Sequence, residues 1–533
     1  MFRNYLKTAR RNLKRHKSNS VINIAGLAAG FAAFLLIFLV IQYQESFDNF
    51  HTDKEQIYRL VRIGRSGNEK EREYSSGVPF PIAQGLRMDI PQLRNVATIY
   101  GDNNIQVLVT AADGSVSKKF KEKNILVAEP QFFQLFNFPL IAGDLKTALN
   151  DKGTAVLTKD VAIKYFGDWR LAVGKTIKLY GHLTKITGVL DNPPSNTDFP
   201  LGVVVSYKSL GNVSDDWSSI SETYCFVQLN KNTSLMQLRQ QLEQFTDKYI
   251  KPVNPGYSLS LQPLNEMHFD ERYGNFMHRT FSRELILALS IIGVFLLIIA
   301  CVNFINITTA QAVNRAREVG VRKVLGSNRR QLVLQFLGET GITTLLALIG
   351  SLLIVAVCLP AVNKLLDIQL TFSAVLGSGF LLFTAAIFVF VTFLSGFYPA
   401  LVLSGFKSAH VLKSAASANV KGISLRRALV VFQFVIAQAL IIGTLIVASQ
   451  MNYFRNADMG FNKKAIINAS FPNDSLSRTK VDLFSDMLGK IHGVQRVSLS
   501  SYTPSATTGW YTDLRKETNH DNTRPDVIVS MKL

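Results

Sequence analysis

The sequence is poor in cysteine, with three among its 533 residues. Cys301 and Cys358 fall within long apolar runs, and Cys225 stands alone in the polar stretch that follows the first of these runs. A single cysteine cannot form an intrachain disulfide there. The region around Cys225 must therefore be held together by its hydrophobic core.

Acidic residues are also scarce, numbering 38 against 58 Lys and Arg, which leaves a net charge of +20. Such basicity can indicate nucleic-acid binding, but here it is concentrated in short segments that flank apolar runs. Residues 1–20 carry seven basic residues, residues 311–335 carry six opposed by Glu318 alone, and residues 404–427 carry five. This pattern follows the positive-inside rule of membrane proteins. We expect no nucleic-acid partner.

Apolar residues make up 47% of the chain. About 20 consecutive apolar residues are needed to cross a bilayer as a helix, and five runs meet that length. The first run is too long for the core of a signal peptide, and no small-x-small cleavage site follows it, which predicts an uncleaved anchor. The predicted spans are residues 21–43, 285–310, 336–362, 375–403 and 428–449.

The positions of the basic segments predict the orientation of these spans. The N-terminus (1–20) and the loops 311–335 and 404–427 are expected in the cytoplasm, and residues 44–284 and 450–533 outside it. Residues 44–284 mix short strand-like and helix-like runs, which indicates an α+β domain. The predicted fold is thus a membrane α-helical protein with five transmembrane helices and an α+β extracytoplasmic domain.

The tail of the chain is predicted to begin a second copy of that domain. Residues 86–96 and 487–497 share spacing, and each follows a helix-like run. Each copy also follows a span with a basic flank, as in a duplicated unit.

Motifs for catalysis, cofactors and metals are weak. The run Gly174-Lys175-Thr176 looks like the end of a phosphate-binding loop, but Trp169 occupies the position of its first glycine. His268, close to Asp270 and Glu271, is read as part of an exposed turn rather than as a metal ligand, and His51 is expected to pack beside its aromatic neighbours. We expect no catalytic residue, cofactor or metal, although residues distant in sequence could still meet in an anchored enzyme.

Polar residues within the predicted spans are costly in hydrocarbon and call for an explanation. We interpret them as interhelical hydrogen-bonding groups, with substrate contact as the alternative. Glu339 is expected at the membrane interface or paired with an arginine. The polar residues are Asn303, Asn306, Gln433 and Gln438.

The basic loop 311–335 contains an ordered motif, Arg-x-Arg-Glu-Val-Gly-Val-Arg-Lys-Val-Leu-Gly-Ser, at residues 315–327. Val321, Val324 and Leu325 fall on one face at helical spacing, so an amphipathic helix lying along the membrane is predicted. Its basic residues could reach lipid phosphates or the acidic surface of a partner. A solvated loop is the alternative interpretation.

This motif resembles the cytoplasmic loop of the FtsX-like, MacB-type ABC transporter permeases. Further segments at residues 47–60, 132–144, 165–189 and 396–413 are similar to other parts of that family, so the resemblance covers nearly the whole chain. The resemblance implies that residues 311–335 couple the permease to an ATPase. The implied coupling residues are Arg315, Arg317, Glu318, Val319, Gly320, Arg322, Lys323 and Gly326.

The same resemblance implies a permease subunit, not itself an enzyme, in a bacterial inner membrane with its main domain in the periplasm. A separate ATPase subunit would be the energy source, and antimicrobial compounds, peptides or lipoproteins the substrates. Further implied partners are the lipid membrane, a second permease copy and a periplasmic adaptor. Family members with this layout usually complete the second outer domain and add three spans, so we expect either a truncated form or a second half that is supplied otherwise. The alternative function is a membrane-anchored ligand sensor.

Overall fold

The computed structural model describes residue 11 and residues 17–65, 72–102, 105–110, 115–211, 215–218, 223–231, 233–371, 377–405, 422–458, 466–469 and 479–500. Side chains of residues 19, 65, 312–318, 320, 322, 402–405 and 422–426 are outside that description. The chain forms two compact units. The first consists of Met1–Ser76, Pro194–Asp198 and Gly256–Ala457, and the second of Gly77–Pro193, Phe199–Pro255 and Asp458–Leu533.

The helices and strands alternate through the first half of the chain, and long helices follow. The helices are α1 Lys17–Glu45, α2 Ile82–Asp89, α3 Phe132–Leu135, α4 Lys159–Phe166, α5 Leu235–Tyr249, α6 Arg283–Val324, α7 Arg329–Leu366, α8 Ser378–Gly405, α9 Gly422–Asn456 and α10 Val481–Gly489. The strands are β1 Ile57–Arg65, β2 Arg72–Ser75, β3 Leu93–Asp102, β4 Ile105–Thr110, β5 Val116–Glu122, β6 Ile125–Ala128, β7 Leu140–Gly143, β8 Thr154–Thr158, β9 Thr176–Leu179, β10 His182–Leu190, β11 Val203–Ser206, β12 Thr223–Leu229 and β13 Ser258–Pro263.

Within the described residues, five helices are long and apolar enough to cross a membrane: α1, α6, α7, α8 and α9. This confirms the predicted number of apolar helices. The helices extend beyond the apolar runs, because a hydropathy window detects only the part that suits hydrocarbon.

Helix α6 shows the largest extension, with 42 residues that reach Val324. Residues 311–324 are helical, as predicted, but the prediction of a separate helix along the membrane is wrong because they continue α6. No proline interrupts this stretch, and Gly320 alone costs a helix only about 1 kcal/mol. The helix ends just before Gly326, whose φ of +95° suits glycine.

The first unit contains a bundle of α1, α6, α7 and α8 with apolar layers. The Ala347 layer lies at mid-bundle, and the Phe336 layer lies where α6 ends and α7 begins. The helices approach closely where Gly30 of α1 faces Ala300 of α6, since a Cβ on Gly30 would collide with the Cβ of Ala300. Small residues permit such contacts between membrane helices. The Ala347 layer contains Leu27, Ala28, Phe31, Leu297, Ala300, Cys301, Phe304, Ala347, Ile387 and Val391, and the Phe336 layer contains Val319, Leu332, Phe336 and Ala400.

The first unit also contains three strands, which lie between α1 and α6 in the sequence. Strand β1 pairs antiparallel with β13 and with β2. Arg59 of β1 is fully buried, and its guanidinium donates to the side chain of Gln262 on β13 at 2.6 Å and to the carbonyl of Gly274 at 2.7 Å.

The second unit is built on a mixed sheet in the order β12-β3-β6-β11-β8-β10-β9-β4-β5, with β7 on β10. The pairs β6/β11 and β8/β10 are parallel and the other described pairs are antiparallel. Apolar side chains of these strands and of α4 form its core, including Val107, Val127, Leu157, Ala162 and Ile186. This agrees with the predicted combination of helices and sheet.

The predicted second outer domain falls largely outside the described residues. Its described part contains α10, which corresponds in spacing to α2, and residues 490–500 form no strand. The existence of a second domain stays a prediction, as does the structure of most of the loop 404–427.

Candidate functional site

The predicted coupling residues lie at the C-terminal end of α6. Arg315, Arg317, Glu318, Gly320 and Arg322 belong to its last turns, but their side chains lie outside the described residues. Lys323 is half-buried, and burial followed by the charge of Arg329 lowers its pKa. Gly326 forms the turn that leads to α7.

Val319 anchors this segment to the bundle. Its side chain is 1% exposed and packs in the Phe336 layer against Leu332 and Phe336 of α7 and Ala400 of α8. Any displacement of the α6 end must therefore disturb this layer or move α7 and α8 with it.

Next to Val319, three apolar side chains face away from the bundle. Val321, Val324 and Leu325 are 50%, 66% and 80% exposed. The turn after them is closed by the side chain of Gln331, which accepts from the backbone N–H of Asn328 at 3.1 Å. An exposed apolar patch rimmed by basic residues is typical of a protein interaction site.

Beyond the opposite ends of α1 and α6 lies a buried cluster that we call the polar joint. It is formed by Gln44, Asp48, Asp198, His268 and Asn275, all at most 6% exposed. These residues come from the last turn of α1, the turn after it, the loop 194–198 and the segment leading to α6.

His268 is central to the polar joint. Its Nδ1 lies 3.0 Å from the carboxylate of Asp198 and its Nε2 lies 2.7 Å from Oε1 of Gln44. A doubly protonated ring would donate to both oxygens. The ring of Phe47 stacks on the imidazole with 3.6 Å between centroids.

Asp48 brings a second carboxylate into this cluster. It accepts from the hydroxyl of Thr197 at 2.5 Å and from the backbone N–H of Asp198 at 3.2 Å. Burial, followed by the charge of Asp198, raises the pKa of Asp48 to about 8. Burial also lowers the pKa of the adjacent His51 to about 3.

Sequence reasoning missed this joint. The prediction that His268 lies in an exposed turn is wrong: it is 5% exposed, because its partners come from Asp198 and Gln44, far away in the sequence. The packing predicted for His51 is confirmed, since its ring lies 4.2 Å from that of Phe50. Among the described residues, no group of His, Cys, Asp and Glu could hold a metal ion.

Exposed ion pairs tie the ends of α6 and α7 to neighbouring segments of the same unit. Arg283, at the start of α6, lies 2.8 Å from Glu266, and Arg279 lies 2.6 Å from Asp367, which follows α7. Such exposed pairs contribute little stability. Glu266 and Arg279 belong to the segment that also supplies His268 and Asn275 to the polar joint.

The chain matches two family models in succession. Residues 20–245 match the MacB-like periplasmic core domain, and residues 290–407 match the FtsX-like permease C-terminal domain. The chain therefore belongs to the MacB/FtsX-type ABC transporter permease family, whose permease subunit is not itself the ATPase. No curated protein matches the chain.

Solved structures of domains from three other proteins are similar to part of the chain. A domain of a permease protein from Porphyromonas gingivalis is 20% identical, with a TM-score of 0.35, and covers 45% of this chain and 98% of its own. The periplasmic region of MacB from Actinobacillus actinomycetemcomitans is 14% identical, with a TM-score of 0.29, and covers 39% and 89%. The extracellular domain of the noncanonic ABC-type transporter YknZ from Gram-positive bacteria is 13% identical, with a TM-score of 0.27, and covers 38% and 99%.

Proposed function

We propose that the chain transmits ATP-driven motion from a separate ATPase subunit in the cytoplasm to its sheet-containing region outside. The ATPase docks on the C-terminal end of α6. The first residues of the chain and the loops 311–335 and 404–427 are cytoplasmic, as the positive-inside rule indicates.

The observation that carries this proposal is the continuity of α6. At about 1.5 Å per residue, its 42 residues span about 63 Å in one helix. One end carries the coupling residues, and the other begins beside the polar joint. A continuous helix transmits a push at one end to the other, because bending it breaks backbone hydrogen bonds.

The docking surface combines an apolar centre with basic surroundings. Val321, Val324 and Leu325 supply the apolar centre, and Arg329 and Arg330 are exposed nearby. This combination suits a partner groove that has apolar walls and an acidic rim.

The substrates are engaged outside the membrane, at the sheet-containing region. Antimicrobial compounds, peptides and lipoproteins are the proposed classes, together with export or release as the outcome. A periplasmic adaptor and a paired permease copy are the proposed further partners.

The test is co-purification of the ATPase with the permease from its native membrane. The double variant Val324→Gln, Leu325→Gln should lose the ATPase, because the polar amides weaken the apolar contact. Leu365→Gln is the matched control, since Leu365 is 83% exposed, like Leu325, but lies at the opposite end of α7.

A charge reversal tests the basic rim separately. Arg317→Glu with Arg322→Glu should also release the ATPase at low salt. Raised salt should weaken the wild-type complex and narrow the difference between wild type and variant, because it screens attraction and repulsion alike. Retention of the ATPase by both double variants would disprove docking at the end of α6.

A further inference from the structure

A belt of buried polar side chains crosses the bundle between the Ala347 layer and the Phe336 layer. In α6, α7 and α8, the stretches between these two layers are residues 305–318, 337–346 and 392–399. We call the buried polar residues of these stretches, together with Asn23 of α1, the polar belt. Its most deeply buried members, all at most 9% exposed, are Asn23, Asn306, Thr309, Thr340, Thr343, Thr344 and Ser395.

Many atoms of the belt have no hydrogen-bond partner in the described part of the chain. Thr344 is fully buried, and its hydroxyl is unpaired. The carbonyl oxygens of the Asn23 and Asn306 side chains are unpaired as well. The unpaired atoms are Asn23 Oδ1, Asn306 Oδ1, Thr308 Oγ1, Thr309 Oγ1, Gln311 Nε2, Thr344 Oγ1 and Thr392 Oγ1.

The neighbouring hydroxyl of Thr343 behaves differently. It donates to the backbone carbonyl of Glu339 at 3.1 Å, one turn earlier in α7. A threonine in a helix commonly satisfies its hydroxyl in this way. That route cannot serve the side-chain oxygens of Asn23 and Asn306, because these oxygens accept hydrogen bonds and a backbone carbonyl has none to donate.

Unpaired polar groups are costly in a membrane protein, because lipid offers no hydrogen bonds. A group of unpaired donors and acceptors at one level of the bundle provides what internal water needs, two to four polar partners for each molecule. Apolar layers on both sides restrict such water to the belt.

We propose that the polar belt binds a cluster of water molecules inside the bundle. The Phe336 layer closes the belt towards the C-terminal end of α6. Water lets the helices exchange hydrogen-bond partners as they shift, whereas a dry polar interface would hold a single register. Val319 belongs to the closing layer, so movement of the coupling segment would open or compress the belt. That consequence rests on the proposed function, but the hydration itself does not.

The first test measures thiol accessibility in the full chain after Cys225, Cys301 and Cys358 are replaced by serine. Ser395→Cys and Val391→Cys form a matched pair, because both positions are fully buried and lie one turn apart on α8. A small water-soluble methanethiosulfonate reagent should modify the Cys at 395 at least tenfold faster than the Cys at 391.

A variant in the Phe336 layer provides a second background for the same measurement. Phe336→Ala should raise the reaction rate at position 395 and leave the rate at 391 unchanged. If the Cys at 395 reacts no faster than the Cys at 391 in either background, the belt is dry and the proposal is overturned. Equal, rapid reaction at both positions would also overturn it, because water would not be confined to the belt.

The second test compares melting temperatures. In a dry belt, Thr344→Val would raise the melting temperature by removing an unpaired hydroxyl. In a hydrated belt, the same change removes a hydrogen bond to water and should lower it, by at least as much as Thr343→Val does. A higher melting temperature for Thr344→Val alone would contradict the proposal. Because this test does not involve the ATPase, its outcome is independent of the proposed function.

Discussion

At the scale of single residues, Asp48 is the most constrained carboxylate of the polar joint. It is 4% exposed and has a φ of +52°, a conformation that aspartate and asparagine tolerate better than most residues. Its burial beside Asp198 could not be predicted, because the two residues are 150 positions apart. The sequence shows a local motif at residues 47–51, but local patterns do not reveal which distant loop will cover it.

We expect Asp48→Asn to make the protein more stable relative to wild type as the pH rises. The pKa of Asp48 is raised from 3.8 to about 8, so the folded state binds this proton more tightly than the unfolded state. The stability that Asp48 contributes is full below about pH 4, declines from there and is lost above about pH 8. Asparagine cannot ionise and avoids that loss.

The measurement is the melting temperature of both proteins in detergent near pH 5 and near pH 8. The difference between variant and wild type should grow by a few degrees, since 1 kcal/mol corresponds to about 2–4 °C in a domain of 150–250 residues. Asp198, His268 and His51 face Asp48 and are present in both proteins, so the comparison isolates Asp48. The same difference at both pH values would contradict the raised pKa.

At the scale of helices and strands, the sequence predicts structure best where a single local signal dominates. Strand β4 is an example, because residues 105–110 are rich in β-branched residues, which favour strands. The end of α6 was harder to predict. A length test for apolar runs detects the part of a helix that crosses a membrane, and it does not detect a polar continuation such as residues 311–324.

Close packing of α1 against α6 supplies a prediction at this scale. Gly30→Leu should destabilise the bundle by about 1–3 kcal/mol, because the new side chain must displace Ala300 and the helix that carries it. Gly443→Leu in α9 is the control, since no described atom lies within 4 Å of a Cβ there. The melting temperature in detergent is the measurement, and equal effects of the two variants would show that α1 and α6 do not pack closely at Gly30.

At the scale of the whole molecule, the direction of the chain across the membrane decides whether α6 can serve an ATPase. The basic segments predict that the end of α6 is cytoplasmic and that the sheet unit is outside. The apolar helices alone are equally compatible with the reverse orientation, because hydrocarbon does not distinguish the two ends of a helix.

Labelling of single cysteines tests that direction in spheroplasts, after the three native cysteines are replaced by serine. Leu325→Cys and Met236→Cys form a matched pair, since these side chains are 80% and 82% exposed in their respective units. A maleimide that cannot cross membranes should label position 236 in intact spheroplasts and position 325 only after permeabilisation. The reverse pattern would place the coupling segment outside the cell, where no cytoplasmic ATPase could reach it, and the proposed direction of transmission would be wrong.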